Sequence, residues 1–388
     1  MIKKVLGKIA HISEKRPFMV VAIVMLITIF MSIMAGNVKT ETGYESMLPD
    51  DNPVIQALDD VRDKFGGSSV INVAVKLAPS DNSNRVNDIR DPEVLHAVDY
   101  IIKDIETMDS ITRVSATSDI IIQQNGGIIP NDIQTVKNIF RELPEDAKPK
   151  VFGNDYTMIL ISANTNADSG RQKELAKDLM DRVEEAPLPP GTVAVVTGSP
   201  AISETMDRLM DEGMMITSLF AMVIIFLILL LYFKSPIKST LPLIPVIIAV
   251  IWSQGSMGIL NIPRDMASSL VSSLLLGLGI DYGIHLYHRY KEEMKLGNSL
   301  EKSIETAVVS TGSAVLVTTA TTVAGFAALT IAPLPMMANM GITCALGIAF
   351  SMIVVIILLP ALIVIDEKHT PKLLNGLKFL KNKFLKED

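Results

Sequence analysis

The sequence predicts an α+β membrane protein: a six-helix transmembrane bundle with an α/β domain inserted between its first and second spans. Three observations carry this. First, 49% of the 388 residues are hydrophobic, more than one soluble core of this size calls for. Second, six apolar stretches are each long enough to cross about 30 Å of hydrocarbon. Third, the polar residues concentrate in one block, 37–212, between the first stretch and the second.

The stretches run Phe18–Gly36, Gly213–Phe233, Leu241–Leu260, Ala267–Tyr287, Ala307–Ile331 and Ala338–Ile365. The first exceeds the roughly 7–15 apolar residues of a signal peptide core and is read as an uncleaved helix. Lysines and arginines crowd its N-terminal flank (Lys3, Lys4, Lys8, Lys15, Arg16), and six lysines follow the last stretch. The positive-inside rule then places both termini in the cytoplasm of a multi-pass cell (plasma) membrane protein. Block 37–212 falls outside, with 31 acidic against 17 basic residues. The chain divides into a cytoplasmic interfacial segment 1–17, a first span 18–36, an extracytoplasmic domain 37–212, a bundle 213–365 and a basic amphipathic tail 366–388.

In the inserted domain, Val70–Leu77 alternates as a half-buried strand. Asp91-Pro92 opens a helix with Val94, Leu95, Val98, Ile101, Ile102 and Ile105 at three-to-four spacing. Strand Ile111–Ser118, a short helix at Asn131–Arg141, strand Tyr156–Ala163, helix Ser169–Glu185 and strand Thr192–Thr197 follow. Two strand–helix–strand units in series predict a ferredoxin-like sandwich with an inserted helix. Ser199-Pro200 then starts a helix that runs without a breaker into the second span. Both tails have apolar stripes beside lysines: Ile2, Val5, Leu6 and Ile9 in one, Leu373, Leu377, Leu380 and Phe384 in the other. Such stripes suit the surface of an anionic leaflet.

One acidic side chain, Asp281, lies inside an apolar stretch, in Gly277-Leu-Gly279-Ile-Asp281-Tyr282-Gly283-Ile-His285. A carboxylate there costs about 2.5–3.5 kcal/mol on insertion scales, so it marks a proton or ion path. His285 shares its helix face at i+4, and the pair reads as a proton relay. His288, farther along, is read as an interfacial residue. Gly277, Gly279 and Gly283 allow a neighbouring helix to pack closely. The fifth stretch carries hydroxyls on one side, and Thr311, Thr318, Thr319 and Thr322 are expected to line a hydrated cavity beside Asp281.

The chemistry excluded is equally informative. The domain between the first two spans has one histidine, His96, and no cysteine, and no second membrane carboxylate accompanies Asp281. Two-carboxylate or nucleophilic catalysis is unsupported, so no enzyme, cofactor or metal site is expected. No nucleic-acid footprint appears, since the basic residues flank spans.

This layout resembles one half of a resistance-nodulation-division (RND) transporter. Gly277-Leu-Gly-Ile-Asp281-Tyr282 is similar to the Asp-Tyr motif in the fourth span of the MmpL-like, hydrophobe/amphiphile-exporter branch. Spans two to six resemble a sterol-sensing domain. The resemblance implies a porter-like inserted domain, Asp281 as proton carrier and Tyr282 as its hydrogen-bonding partner. It implies export of a hydrophobic or amphiphilic substrate, most simply a membrane lipid, driven by protons. The alternative is a lipid-sensing or translocation-assisting membrane protein. RND relatives carry two such halves, so a homodimer is expected, with a trimer as the other closed arrangement.

Overall fold

The computed structural model describes all residues except 1, 42, 44–46, 50, 66–68, 80–84, 154–156, 166–168 and 385–388; side chains at 58, 59, 61–63, 65, 69, 169 and 369–384 also lie outside the description. The stripe Leu373, Leu377, Leu380 and Phe384 falls in that last range. The chain divides into two units, Thr42–Arg208 and the combination of Met1–Glu41 with Leu209–Asp388.

The first unit holds α3 (Pro53–Phe65), β1 (Ser69–Leu77), α4 (Pro92–Ile105), β2 (Ile111–Ala116), α5 (Asp119–Gln124), α6 (Ile133–Glu142), α7 (Lys148–Phe152), β3 (Met158–Thr165), α8 (Ser169–Glu185) and β4 (Thr192–Thr197). The strands form one sheet in the order β2-β3-β1-β4. All three pairings are antiparallel, and β1 lies centrally with Val73 opposite both Ile161 and Val196. Alternation puts Ile71, Val73, Val75, Ile159, Ile161 and Ala163 on one face, where all are fully buried. Helix α4 meets that core with Val94, Leu95, Val98, Ile101 and Ile105. It begins where the Asp91 side chain accepts the Glu93 amide ahead of Pro92. The sequence placed β3 two residues too early and did not show α3, α5 or α7 as helices. These short helices carry too few turns for a period to stand out.

Helices α5–α7 join the same core through Ile121, Val136, Phe140 and Phe152. An ionic clamp holds α6. Asp88 accepts Arg90 Nη2 at 2.8 Å and pairs with Lys137 Nζ at 3.0 Å, while the Arg90 guanidinium lies 5.8 Å from the Phe140 ring centre. Burial alone would raise the Asp88 carboxyl, but the hydrogen bonds from Arg90 and Lys137 outweigh it and hold the group well below the usual carboxylate range.

The second unit is a helical bundle: α1 (Ile2–Lys15), α2 (Pro17–Ala35), α9 (Ser199–Phe233, its first turns in the α/β unit), α10 (Pro236–Leu260), α11 (Val271–Lys295), α12 (Leu300–Ala327) and α13 (Pro335–Phe384). Among the described residues six helices are long and apolar enough to cross a membrane, with a short 3₁₀ turn leading into α11 and another following α12. The protein is a multi-pass membrane protein. Helix α13 is the central post, and it packs on α1, α2, α10, α11 and α12. Helix α9 is the peripheral one, mostly exposed along its apolar length.

Close approach holds the bundle more than hydrogen bonding does. Trp252 Nε1 donates to Thr28 Oγ1 at 3.0 Å, and Ser253 Oγ to the Thr343 carbonyl at 3.0 Å. Such bonds average only about 0.6 kcal/mol within membranes. By contrast, Gly255 and Gly258 of α10 sit against the backbone of Met31 and Met34 in α2, where any Cβ would collide. At the end remote from the termini, Arg264 exchanges backbone hydrogen bonds with Lys39 and Glu41 and pairs with Asp211 at 3.2 Å. Asp265 beside it takes Asn339 Nδ2 at 3.0 Å. One short connection thus ties α2, α9, α10 and α13.

The N-terminal segment differs from its expected face. Leu6, Ala10 and Ser13 are the buried positions of α1, whereas Ile2 and Val5 are about half exposed. Ser13 Oγ donates to the Ile357 carbonyl at 3.0 Å, and Leu6 packs on Gly312. The small residues Ala10 and Ser13, which stand outside the stripe of large apolar side chains, let α1 lie close to α13.

The Asp88 clamp gives a pH prediction. Its folded pKa is depressed, so its stabilisation is fully present above the unfolded value of about 3.9 and is lost as pH falls below that toward the folded value. Amide hydrogen exchange of β1 and β3 in detergent should therefore be faster in Asp88→Asn than in wild type at neutral pH. The difference should shrink below about pH 4; an equal difference at all pH values would remove the clamp from the account.

Candidate functional site

Helix α11 has two working faces. At about 100° per residue, Gly279 and Gly283 lie roughly 160° from Asp281 on either side, on the opposite face of the helix. A Cβ on Gly283 would stand 3.0 Å from Pro242 Cβ and 3.1 Å from its carbonyl oxygen in α10. One on Gly279 would meet Ser351 Oγ of α13 at 2.5 Å and Val246 of α10 at 3.0 Å. These two glycines seat α11 against α10 and α13. Gly277 does not share this role: nothing lies within 4 Å of its Cβ position. The reason is rotational, since Gly277 is only about 40° from Asp281 and so belongs to the other face.

That other face borders a cavity of about 670 Å³ between α11 and α12. Asp281, Tyr282 and His285 line it from α11, and Thr311, Thr318 and Thr322 from α12. Asp281 and His285 are exposed within the single chain, while Tyr282 is half-buried. Thr318 and Thr322 donate their hydroxyl protons to carbonyls of their own helix, Val315 at 2.9 Å and Thr318 at 2.9 Å. Their oxygens remain free to accept. Thr319 departs from expectation. It is buried, with Oγ1 lacking a hydrogen-bond partner among the described residues, and it does not line the cavity. Lying one position past Thr318 turns it toward the bundle.

His288, read from the sequence as interfacial, lines the cavity with Arg289 and Glu292 at the end nearer the termini, and Ser310 lines its wall; Glu292, Leu278, Ala314 and Val315 were not singled out from the sequence. The signal for Glu292 was present, since 281, 285, 288 and 292 repeat at four-three-four spacing. It was masked by the run of charges around it, which reads as a solvated helix end.

A second hollow of about 540 Å³ lies between α1 and α12, lined by Lys3, Lys4, Lys8, His11, Glu14, Glu301 and Glu305. Donor atoms of His11, Glu14 and Glu301 lie within 4.8 Å of one another. Lys368 Nζ already pairs with Glu14 at 3.0 Å, and Lys3, Lys4 and Lys8 balance the three glutamates, so the hollow carries no excess negative charge to draw in a cation.

Comparison with known proteins places the chain. Residues 46–372 match the MMPL family. Membrane protein MJ1562 of Methanocaldococcus jannaschii is 52% identical over 381 residues, which are 97% of this chain and 98% of that protein. The siderophore exporter MmpL5 of Mycobacterium tuberculosis is 26% identical over 219 residues, 55% of this chain but 22% of that protein. Among solved structures, the hedgehog release protein Disp of the water bear Hypsibius dujardini superposes with a TM-score of 0.67 at 15% identity. That match covers 94% of this chain and 50% of Disp, and at such identity it speaks to the fold alone.

The two glycine environments give a paired prediction. Gly279→Val should destabilise the bundle by about 1–3 kcal/mol through overpacking. Gly277→Ala should be neutral or stabilise it by up to about 1 kcal/mol, because a helical glycine is replaced without a clash. Thermal unfolding in detergent measures both; equal effects at the two sites would contradict the two-faced helix.

Proposed function

We propose, from the premise that this chain belongs to the MMPL family, that it is a membrane transporter for lipid-like substrates, driven by protons carried on Asp281. The observation that carries the reading is the cavity between α11 and α12. It collects the intramembrane carboxylate, a phenol, an imidazole and a wall of hydroxyls around one space large enough for water. A carboxylate beside such a space can exchange its proton, whereas one packed as interhelical glue would be enclosed and hydrogen-bonded. Asp281, Tyr282 and His285 make no side-chain hydrogen bond or ion pair among the described residues.

Protonation is the natural switch. The charged carboxylate costs a few kcal/mol in hydrocarbon, and neutralising it removes most of that cost. One proton moving down about 150 mV supplies roughly 3.5 kcal/mol, enough to bias two bundle states by a few hundredfold. Helix α9 runs unbroken from the α/β unit into the bundle, so rotation at one end can be felt at the other. The sheet order β2-β3-β1-β4 supports reading the α/β unit as a ferredoxin-like porter domain, and the lysines and arginines flanking the first and last spans support cytoplasmic termini with that unit outside. A relative named as an exporter supports outward movement.

A second copy completes the arrangement. The Asp281 face is exposed in the single chain, an untenable state in lipid, and Disp contains about twice the length matched here. In an isologous dimer two α11 helices face each other. Since Asp281 and Tyr282 point about 100° apart, each carboxyl can meet the partner's phenol.

The test is proton uptake into phosphatidylethanolamine–phosphatidylglycerol liposomes holding the purified protein, under an imposed gradient. Wild type should acidify the lumen, and Asp281→Asn should fall to the rate of protein-free liposomes. Uptake that persists in Asp281→Asn would transfer the case to a sensor that carries no substrate.

A further inference from the structure

The relay needs an exit, and the same cavity offers one. Positions 281, 285, 288 and 292 fall within an arc of about 60° on α11 and span about 16 Å of its axis. All four line the cavity. At its far end His288 Nδ1 lies 3.5 Å from Glu292 Oε1, and both side chains are about half exposed. Arg289 Nη1 donates to the other carboxylate oxygen, Oε2, at 3.1 Å. That contact fixes the carboxylate so that one oxygen faces His288. The facing helix α12 contributes hydroxyls and no ionisable group to the cavity. Tyr232 of α9 stands outside the cavity lining with its ring centre 6.5 Å from that of His288.

We propose that His288 is the exit station of the proton path and that Glu292 is its positioning residue. The proposal rests on Asp281 being the proton carrier. The proton leaves the Asp281 carboxyl, which becomes a carboxylate, and is taken by a neutral nitrogen of His285. The resulting imidazolium gives up the proton on its other nitrogen, through cavity water, to neutral His288. The Glu292 carboxylate stabilises the His288 imidazolium until it passes the proton to bulk water on the side of the termini. One proton has moved: Asp281 is left as a carboxylate to be reloaded from the outer side, and His285 as its other tautomer, which a ring flip or proton exchange with cavity water resets. Without Glu292 the second imidazole loses both its orientation and its counter-charge. The pair is therefore a functional end to the path, where the sequence alone read His288 as an interfacial residue.

The experiment uses the same proteoliposomes with His288→Gln, Glu292→Gln, Glu292→Asp and Asp281→Asn, with and without millimolar imidazole on the exit side. Proton uptake should drop about tenfold or more in His288→Gln and Glu292→Gln, in line with losing a positioned proton-transfer group. Imidazole should restore His288→Gln, Glu292→Asp should recover most of the rate, and neither remedy should help Asp281→Asn. Wild-type rates in both exit variants would overturn the exit while leaving the carrier intact. Slow uptake that imidazole does not restore would make the pair structural and overturn it too. A wild type whose uptake does not depend on Asp281 would instead remove the carrier reading itself, and the exit with it.

Discussion

The rotation of α11 about its own axis is the constraint on which the rest of this membrane unit depends. Gly279 and Gly283 bring its backbone against Pro242 of α10 and Ser351 of α13. A side chain at either position would force the helices apart or turn α11. With the glycines buried, the opposite face must look away from the core, and that face carries Asp281, His285, His288 and Glu292. Packing and chemistry are thus divided between two sides of one helix. The same contact that stabilises the bundle aims the carboxylate at the cavity.

Energetics favour this division. Interhelical hydrogen bonds contribute little in a membrane, so close van der Waals contact at small residues sets the geometry. Glycines recur at the α2–α10 contact through Gly255 and Gly258 and at the α1–α12 contact through Gly312. What remains unsatisfied is the polar face itself. An exposed carboxylate in hydrocarbon is costly, and the hydroxyls of α12 that share its cavity largely bond their own backbone. Under the proposed transport cycle that cost becomes the driving term, since gaining or losing one proton switches it. A second copy, facing the first across α11, would shield the charge from lipid.

The α/β unit follows a different logic. Its sheet is held by buried alternating residues and by a clamp at Asp88 that pins α6 to the core through two cations. Its continuity with α9 makes it a partner for motion in the proposed cycle.

The six spans were legible in the sequence because a 20-residue apolar run has few other uses. The four strands were legible because alternation survives in short segments, although β3 was placed two residues early. Asp281 and His285 stood out because ionisable groups are rare in such runs and i+4 spacing fixes a shared face. The sequence could not separate Gly277 from Gly279 and Gly283, or Thr319 from Thr318 and Thr322, since composition does not reveal which side of a helix meets a neighbour. Nor could it show that α1 docks through Ala10 and Ser13, small residues that the stripe of large apolar side chains does not include. Local pattern determined the elements and the residues with chemical potential. Only the tertiary structure decided which faces pack and which open on the cavity, because helix rotation is set by contacts between residues far apart in the chain.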